Sequence, residues 1–126
     1  MAITRLKVKN NDKVINIEQL YRFVHENNLK FSDGLLRRYL AEILINIDDL
    51  HLAEAEDLIK KAIEADKRNG MMFYLGQDYA LYAELFRHKG DQSKARENLN
   101  KTIEIFKLCG ADGWVKKFEK ELAALQ

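Results

Sequence analysis

From residue 17 onward, apolar side chains return every three to four positions, the spacing that lines one face of an α-helix. Six helical segments are predicted. The first, 17–27, places Leu20, Phe23 and Val24 on one face and stops at Asn27 and Asn28. The second follows Ser32, a good N-cap, and runs to Ile47 with Leu36, Tyr39, Leu40, Ile43 and Leu44 along a broad apolar stripe that Asp48 and Asp49 interrupt. The third, 52–65, turns Ala55, Leu58, Ile59, Ala62 and Ile63 inward, and Asn69 and Gly70 supply its stop. The fourth, 71–88, is rich in aromatics and closes at Gly90. The fifth starts after Asp91 and carries Ala95, Leu99, Thr102, Ile103 and Phe106 toward Gly110. The sixth starts after Asp112 with Trp114, Val115, Phe118, Leu122 and Leu125.

Ahead of these segments the pattern differs. Residues 1–16 hold Arg5, Lys7, Lys9 and Lys13 against Asp12 alone, and form a basic lead. The alternation Leu6, Lys7, Val8, Lys9, followed by Asn10, Asn11 and Asp12, admits either a short hairpin or an extended arm. Residues 17–126 are expected to make one helical domain.

Composition supports the helical reading. The 126 residues include no proline and only six glycines, too little turn punctuation for an all-β sandwich. With 47% hydrophobic residues, 33% charged residues and a net charge of +1, the chain has the balance of an ordinary globular protein, and no bulk charge draws it to nucleic acid. The most apolar run, 39–47, is far shorter than the ~20 residues a membrane span needs, and the first residues lack the apolar core of a secretory signal. Cys109 is the single cysteine, so an internal disulfide is impossible and a cytoplasmic setting is expected.

A shift of 40 residues lays 35–65 over 75–105 with six identities, among them Tyr39 on Tyr79, Ala55 on Ala95 and Ile63 on Ile103. The stretch Tyr79, Tyr82, Ala83, Phe86, Gly90, Asp91, Ala95, Leu99 and Thr102, at its particular spacings, resembles a tetratricopeptide repeat. Small residues at 83 and 95 let two antiparallel helices approach closely, Gly90 permits the turn, and large residues fill the surrounding space. The earlier unit keeps Ala55, Ile59 and Ala62 but has no turn glycine. The ending from Ile105 to Leu122 resembles the closing segment of repeat arrays in multidomain bacterial regulators. The resemblance implies an all-α fold of antiparallel hairpins stacked as a short right-handed superhelix. The sixth segment would be its capping helix, and the chain would form the terminal module of a larger signalling protein.

Catalytic chemistry finds little purchase. His25, His51 and His88 include no i,i+4 pair, so the helical His-Glu-x-x-His metal arrangement is missing. Cys109, with no histidine near it in sequence, reads as a small buried side chain. Gly76 and Gly90 do not form a phosphate-cradling loop. Asp48, Asp49, Glu54, Glu56 and Asp57 read as a solvated face, and Tyr74, Tyr79, Tyr82 and Phe86 as core. No catalytic residue, cofactor or metal site is expected.

The repeat resemblance points instead to a concave groove lined by alternate helices. Carried over residue by residue, its candidates are Arg37, Leu40, Leu44 and Ile47 on the second segment, Gln77, Ala80, Glu84 and Arg87 on the fourth, and Lys117 and Lys120 on the sixth. The apolar first set implies a cover, either a partner's helix or peptide or the chain's own first segment. Leu40 and Leu44 stand where polar residues would be needed to clamp a partner's C-terminal carboxylate, so that specificity is not expected. The leading expectation is a non-enzymatic scaffold that binds another protein or peptide. The alternatives are a ligand-sensing or enzymatic pocket using Tyr82 and Glu84, or a homodimer joined through the apolar stripe; nucleic acid and membrane are not expected partners.

Overall fold

The computed structural model describes residues 33–125, and among them there are helices and turns but no strands. The fold is all-α. Five helices follow in order: α1 Asp33–Ile47, a 3-10 turn Asp49–His51, then α2 Leu52–Arg68, α3 Met72–His88, α4 Gln92–Leu108 and α5 Asp112–Ala124. The basic lead, the 17–27 segment and the Ser32 cap lie outside the described residues. No described helix is long and apolar enough to cross a membrane.

Three of the junctions share one design. At the end of α2, the Gly70 N–H donates to the Lys67 carbonyl and the Met71 N–H to the Asp66 carbonyl. The same pair of bonds recurs at Gly90 and Asp91, and again at Gly110 and Ala111. Each glycine has a φ between 66° and 79°, a left-handed conformation that any Cβ would strain, so carbonyls left over at the helix end are met within a three-residue turn. Connections this short send consecutive helices in opposite directions. The junction from α1 to α2 differs: it has no glycine, and the Asp48 carboxylate instead accepts the Leu50 N–H to cap the 3-10 turn.

Packing runs from neighbour to neighbour along the chain, and α1 also touches α3. One core cluster joins Leu40, Ile43 and Leu44 of α1 to Ala55, Leu58 and Ile59 of α2 and Leu81 and Leu85 of α3. A second joins Ala83 and Phe86 of α3 to Ala95, Leu99, Ile103 and Phe106 of α4 and Val115 and Phe118 of α5. Tyr82 packs against both. The small pair Ala83 and Ala95, only 1% and 0% exposed, falls in the second cluster, where short side chains leave room for α3 and α4 to close. Gly76 does the same nearer the start of α3, facing Phe106 and Ile105. Thr102 is fully buried, and its hydroxyl donates to the Asn98 carbonyl inside α4, so it fills the space without an unmet polar group.

Two expectations are corrected. Cys109 is exposed, because it caps α4 and the turn carries it away from the core. Among the aromatics, Tyr79 and Phe86 are buried, but Tyr74 and Tyr82 are only half-buried, and the Tyr82 hydroxyl donates to a Glu56 carboxylate oxygen.

Candidate functional site

Because alternate helices run in the same direction, α1, α3 and α5 each lend one edge to a shared concave surface. That surface is a groove of about 340 Å³. On α3 it is lined by Gln77, Ala80, Glu84 and Arg87, whose 3, 4, 3 spacing traces a single stripe. On α5 it takes Trp114, Lys117, Phe118 and Glu121, and on α1 the i,i+4 pair Arg38 and Glu42. Leu81, Ala83 and Leu99 lie beneath.

The groove is electrically mixed, with Arg87 and Lys117 against Glu42, Glu84 and Glu121. Arg38 is turned inward. Its guanidinium lies 3.3 Å from the Asp78 carboxylate and donates to the Tyr74 carbonyl at 3.3 Å, between the rings of Tyr39 and Tyr74 at 5.8 and 5.3 Å. The Lys117 ammonium sits 5.1 Å from the Trp114 ring centre and 5.3 Å from that of Phe118, a cation-π arrangement that holds its stem against the aromatic floor. Trp114 belongs to a larger stack. Phe73 meets it edge-on at 5.3 Å, and Phe106 supports both rings from the core. Phe73 and Trp114 each remain 37% exposed, and of the two Trp114 lines the groove and offers aromatic surface there to water.

Of the residues carried over from the repeat resemblance, Gln77, Glu84, Arg87 and Lys117 all line the groove. The α1 set does not. Leu40 and Leu44 are fully buried and Ile47 packs onto the same cluster, all three turned toward α2 and α3. That stripe is part of the core shared with α2 and α3. Arg37 and Lys120 also lie off the groove. The groove side of α1 is instead that of Arg38 and Glu42, roughly 160° around the helix from the centre of the carried-over set. The sequence signal for this is that, of the three charges Arg37, Arg38 and Glu42 in this largely apolar stretch, Arg38 and Glu42 stand at i,i+4.

The alternative pocket pair is not brought together. Glu84 lines the groove, whereas the Tyr82 hydroxyl donates to Glu56 on α2 at 2.8 Å. Lys89 donates to the other Glu56 oxygen at 2.6 Å. Burial alone would push the Glu56 carboxyl up, but these two donors and the Lys89 charge outweigh it and hold the group below its ordinary value. The Tyr82 hydroxyl is shifted the other way, upward, by burial and by the Glu56 carboxylate beside it. The trio braces α2 against α3.

A second polar group, which the periodicity reading overlooked, lies beneath the groove. Asp66 at the end of α2 and Asp78 on α3 are 2% and 0% exposed, and their carboxyls meet. Burial, reinforced by Asp66, pushes the Asp78 carboxyl up to about 9 despite the nearby Arg38. Both residues continue the inward spacing of their helices, Asp66 four beyond Ala62 and Asp78 three beyond Leu75, and that is the signal that could have found them. Among the described residues, no group of three or more His, Cys, Asp or Glu side chains is arranged to hold a metal ion. No family model, no curated protein and no solved structure matches the chain, so a functional reading rests on this geometry and on the repeat resemblance.

Proposed function

We propose that the chain is a non-enzymatic, cytoplasmic interaction module of tetratricopeptide type, whose groove receives an extended or helical segment of another protein. The observation that carries the reading is that three alternate helices, α1, α3 and α5, line one groove. Aromatic area at Trp114 suits an apolar anchor residue, and Gln77, Glu84 and Arg87 set hydrogen-bonding and charged groups along the remaining length. Within the described residues α5 closes the second core cluster. Its inner residues Val115 and Phe118 are buried, while Lys116, Glu119 and Lys120 face water, as a cap on a stack requires.

Selection of binders from a displayed random-peptide library tests the proposal. Enriched peptides should lose at least tenfold in affinity for a Trp114→Ala, Lys117→Glu, Glu84→Lys variant that keeps its helical circular dichroism. Equal binding by that variant, or failure of any sequence to enrich, would refute the groove assignment.

A further inference from the structure

Three charged side chains, one from each of α1, α2 and α3, are shut away from water at a single junction: Arg38 at 6% exposure, Asp66 at 2% and Asp78 at 0%. Arg38 approaches one oxygen of Asp78 at 3.3 Å. The Oδ2 atoms of both Asp66 and Asp78 are buried, and no protein donor reaches either one. Two ionised carboxylates so placed would repel each other in a poorly solvating interior, and one guanidinium would leave a net negative charge buried. Asp66 also sits against Gly34 in the first turn of α1, where a Cβ would run into its carboxyl group, so the backbone has been cleared to admit it.

We propose that Asp66 and Asp78 form a proton-binding site, in which one proton shared between the two carboxyl groups makes a carboxylic acid hydrogen-bonded to a carboxylate. That proton is the donor the two oxygens otherwise lack. It also balances the junction, leaving one negative charge opposite Arg38, and so ties α1, α2 and α3 together without an uncompensated buried charge. Tyr39 on α1 and Tyr74 on α3 flank the Arg38 guanidinium, and Lys67 and Arg68 follow Asp66 along α2. Lys67 and Arg68 are exposed, and the Lys67 ammonium lies over the Tyr79 ring, 5.9 Å from its centre. With Arg38 committed inward, the groove charge contributed by α1 is that of Glu42.

Urea unfolding of the full chain across pH tests the site, comparing wild type with Asp78→Asn and Asp66→Asn. A folded group that holds its proton to a higher pH than the unfolded chain does gives stability that is complete below the ordinary carboxylate range. That stability is lost as pH rises through the folded value. Relative to Asp78→Asn, the wild-type folding constant should therefore fall by about tenfold per pH unit across the neutral range, the slope of one linked proton. Asp66→Asn should flatten the same slope, because Asp78 then faces Arg38 without a competing carboxylate. Infrared spectra of the wild-type chain at neutral pH should also show the C=O stretch of a protonated carboxylic acid, a reading that needs neither variant to fold. Parallel pH curves for wild type and variants, or no acid band in the wild type, would overturn the proposal. Stabilisation by calcium or magnesium at fixed pH, abolished in Asp78→Asn, would likewise overturn it by placing a metal cation where the proton is assigned.

Discussion

Two glycines in helices give opposite forecasts for the same substitution. A Cβ on Gly76 would stand 2.9 and 3.0 Å from two ring atoms of Phe106 and 3.3 Å from a methyl carbon of Ile105, whereas one on Gly113 would meet nothing within 4 Å. Replacing a helical glycine with alanine contributes about 0.5–1 kcal/mol through backbone propensity. At Gly76 that gain is opposed by overpacking, which costs about 1–3 kcal/mol when the neighbour cannot yield. Phe106 has little freedom to yield. Its ring is fully buried and held by Phe73, Trp114 and Phe118 at centroid distances of 5.3, 5.5 and 5.7 Å. Gly76→Ala should therefore lose about 1 kcal/mol net and Gly113→Ala should gain up to about 1, a separation of roughly 2 kcal/mol. Urea unfolding followed by Trp114 fluorescence would read this as midpoints displaced to either side of wild type with unchanged slopes. Equal stabilisation by both substitutions would refute the close approach of α3 to α4.

Further outcomes follow from other contacts. Tyr82→Phe removes the hydroxyl donor to Glu56 and should cost about 0.5–1.5 kcal/mol at neutral pH. Because Glu56 titrates below its ordinary value in the folded chain, its contribution is present above the ordinary carboxylate range and lost as pH falls through the depressed value. The difference between Tyr82→Phe and wild type in urea unfolding should accordingly shrink in acid. Leu44→Asp should unfold the chain, seen as lost helical circular dichroism, because Leu44 is 0% exposed within the α1, α2 and α3 core and an unpaired carboxylate cannot be accommodated there.

Much of the fold is written in local chemistry. The spacing of Ala55, Leu58, Ile59 and Ala62 places α2, and Gly70, Gly90 and Gly110 mark its end and those of α3 and α4, since each permits the left-handed residue the turn needs. Asp91 announces α4 by accepting the Lys94 N–H. On α3 the polar stripe Gln77, Glu84 and Arg87 lies opposite an apolar one and lines the groove as its spacing suggests, whereas on α5 only Lys117 of the expected pair does, beside Trp114, Phe118 and Glu121. On α1 this logic loses its grip. Leu40, Ala41, Ile43, Leu44 and Ile45 are buried over most of the circumference, so apolar character does not identify the outward face, and even the charged Arg38 is buried, leaving Glu42 and Asn46 toward water. Asp66 and Asp78 resisted reading for the opposite reason. A carboxylate is ordinarily an exposed residue, and its burial depends on partners brought from other helices; the 40-residue interval between Arg38 and Asp78 acquires meaning only once α1 lies beside α3.

The turn glycines at 70, 90 and 110 are spaced 20 residues apart, each following a 17-residue helix. Such a chain keeps time. One residue inserted within α3 would swing everything after it by about 100° and turn the α4 core face toward water, whereas two whole beats, one complete hairpin, would leave the rotational phase of all later helices intact. Growth or shortening is thereby quantised: the architecture resists single-residue insertions and deletions in its rods, yet accommodates the gain or loss of entire paired units.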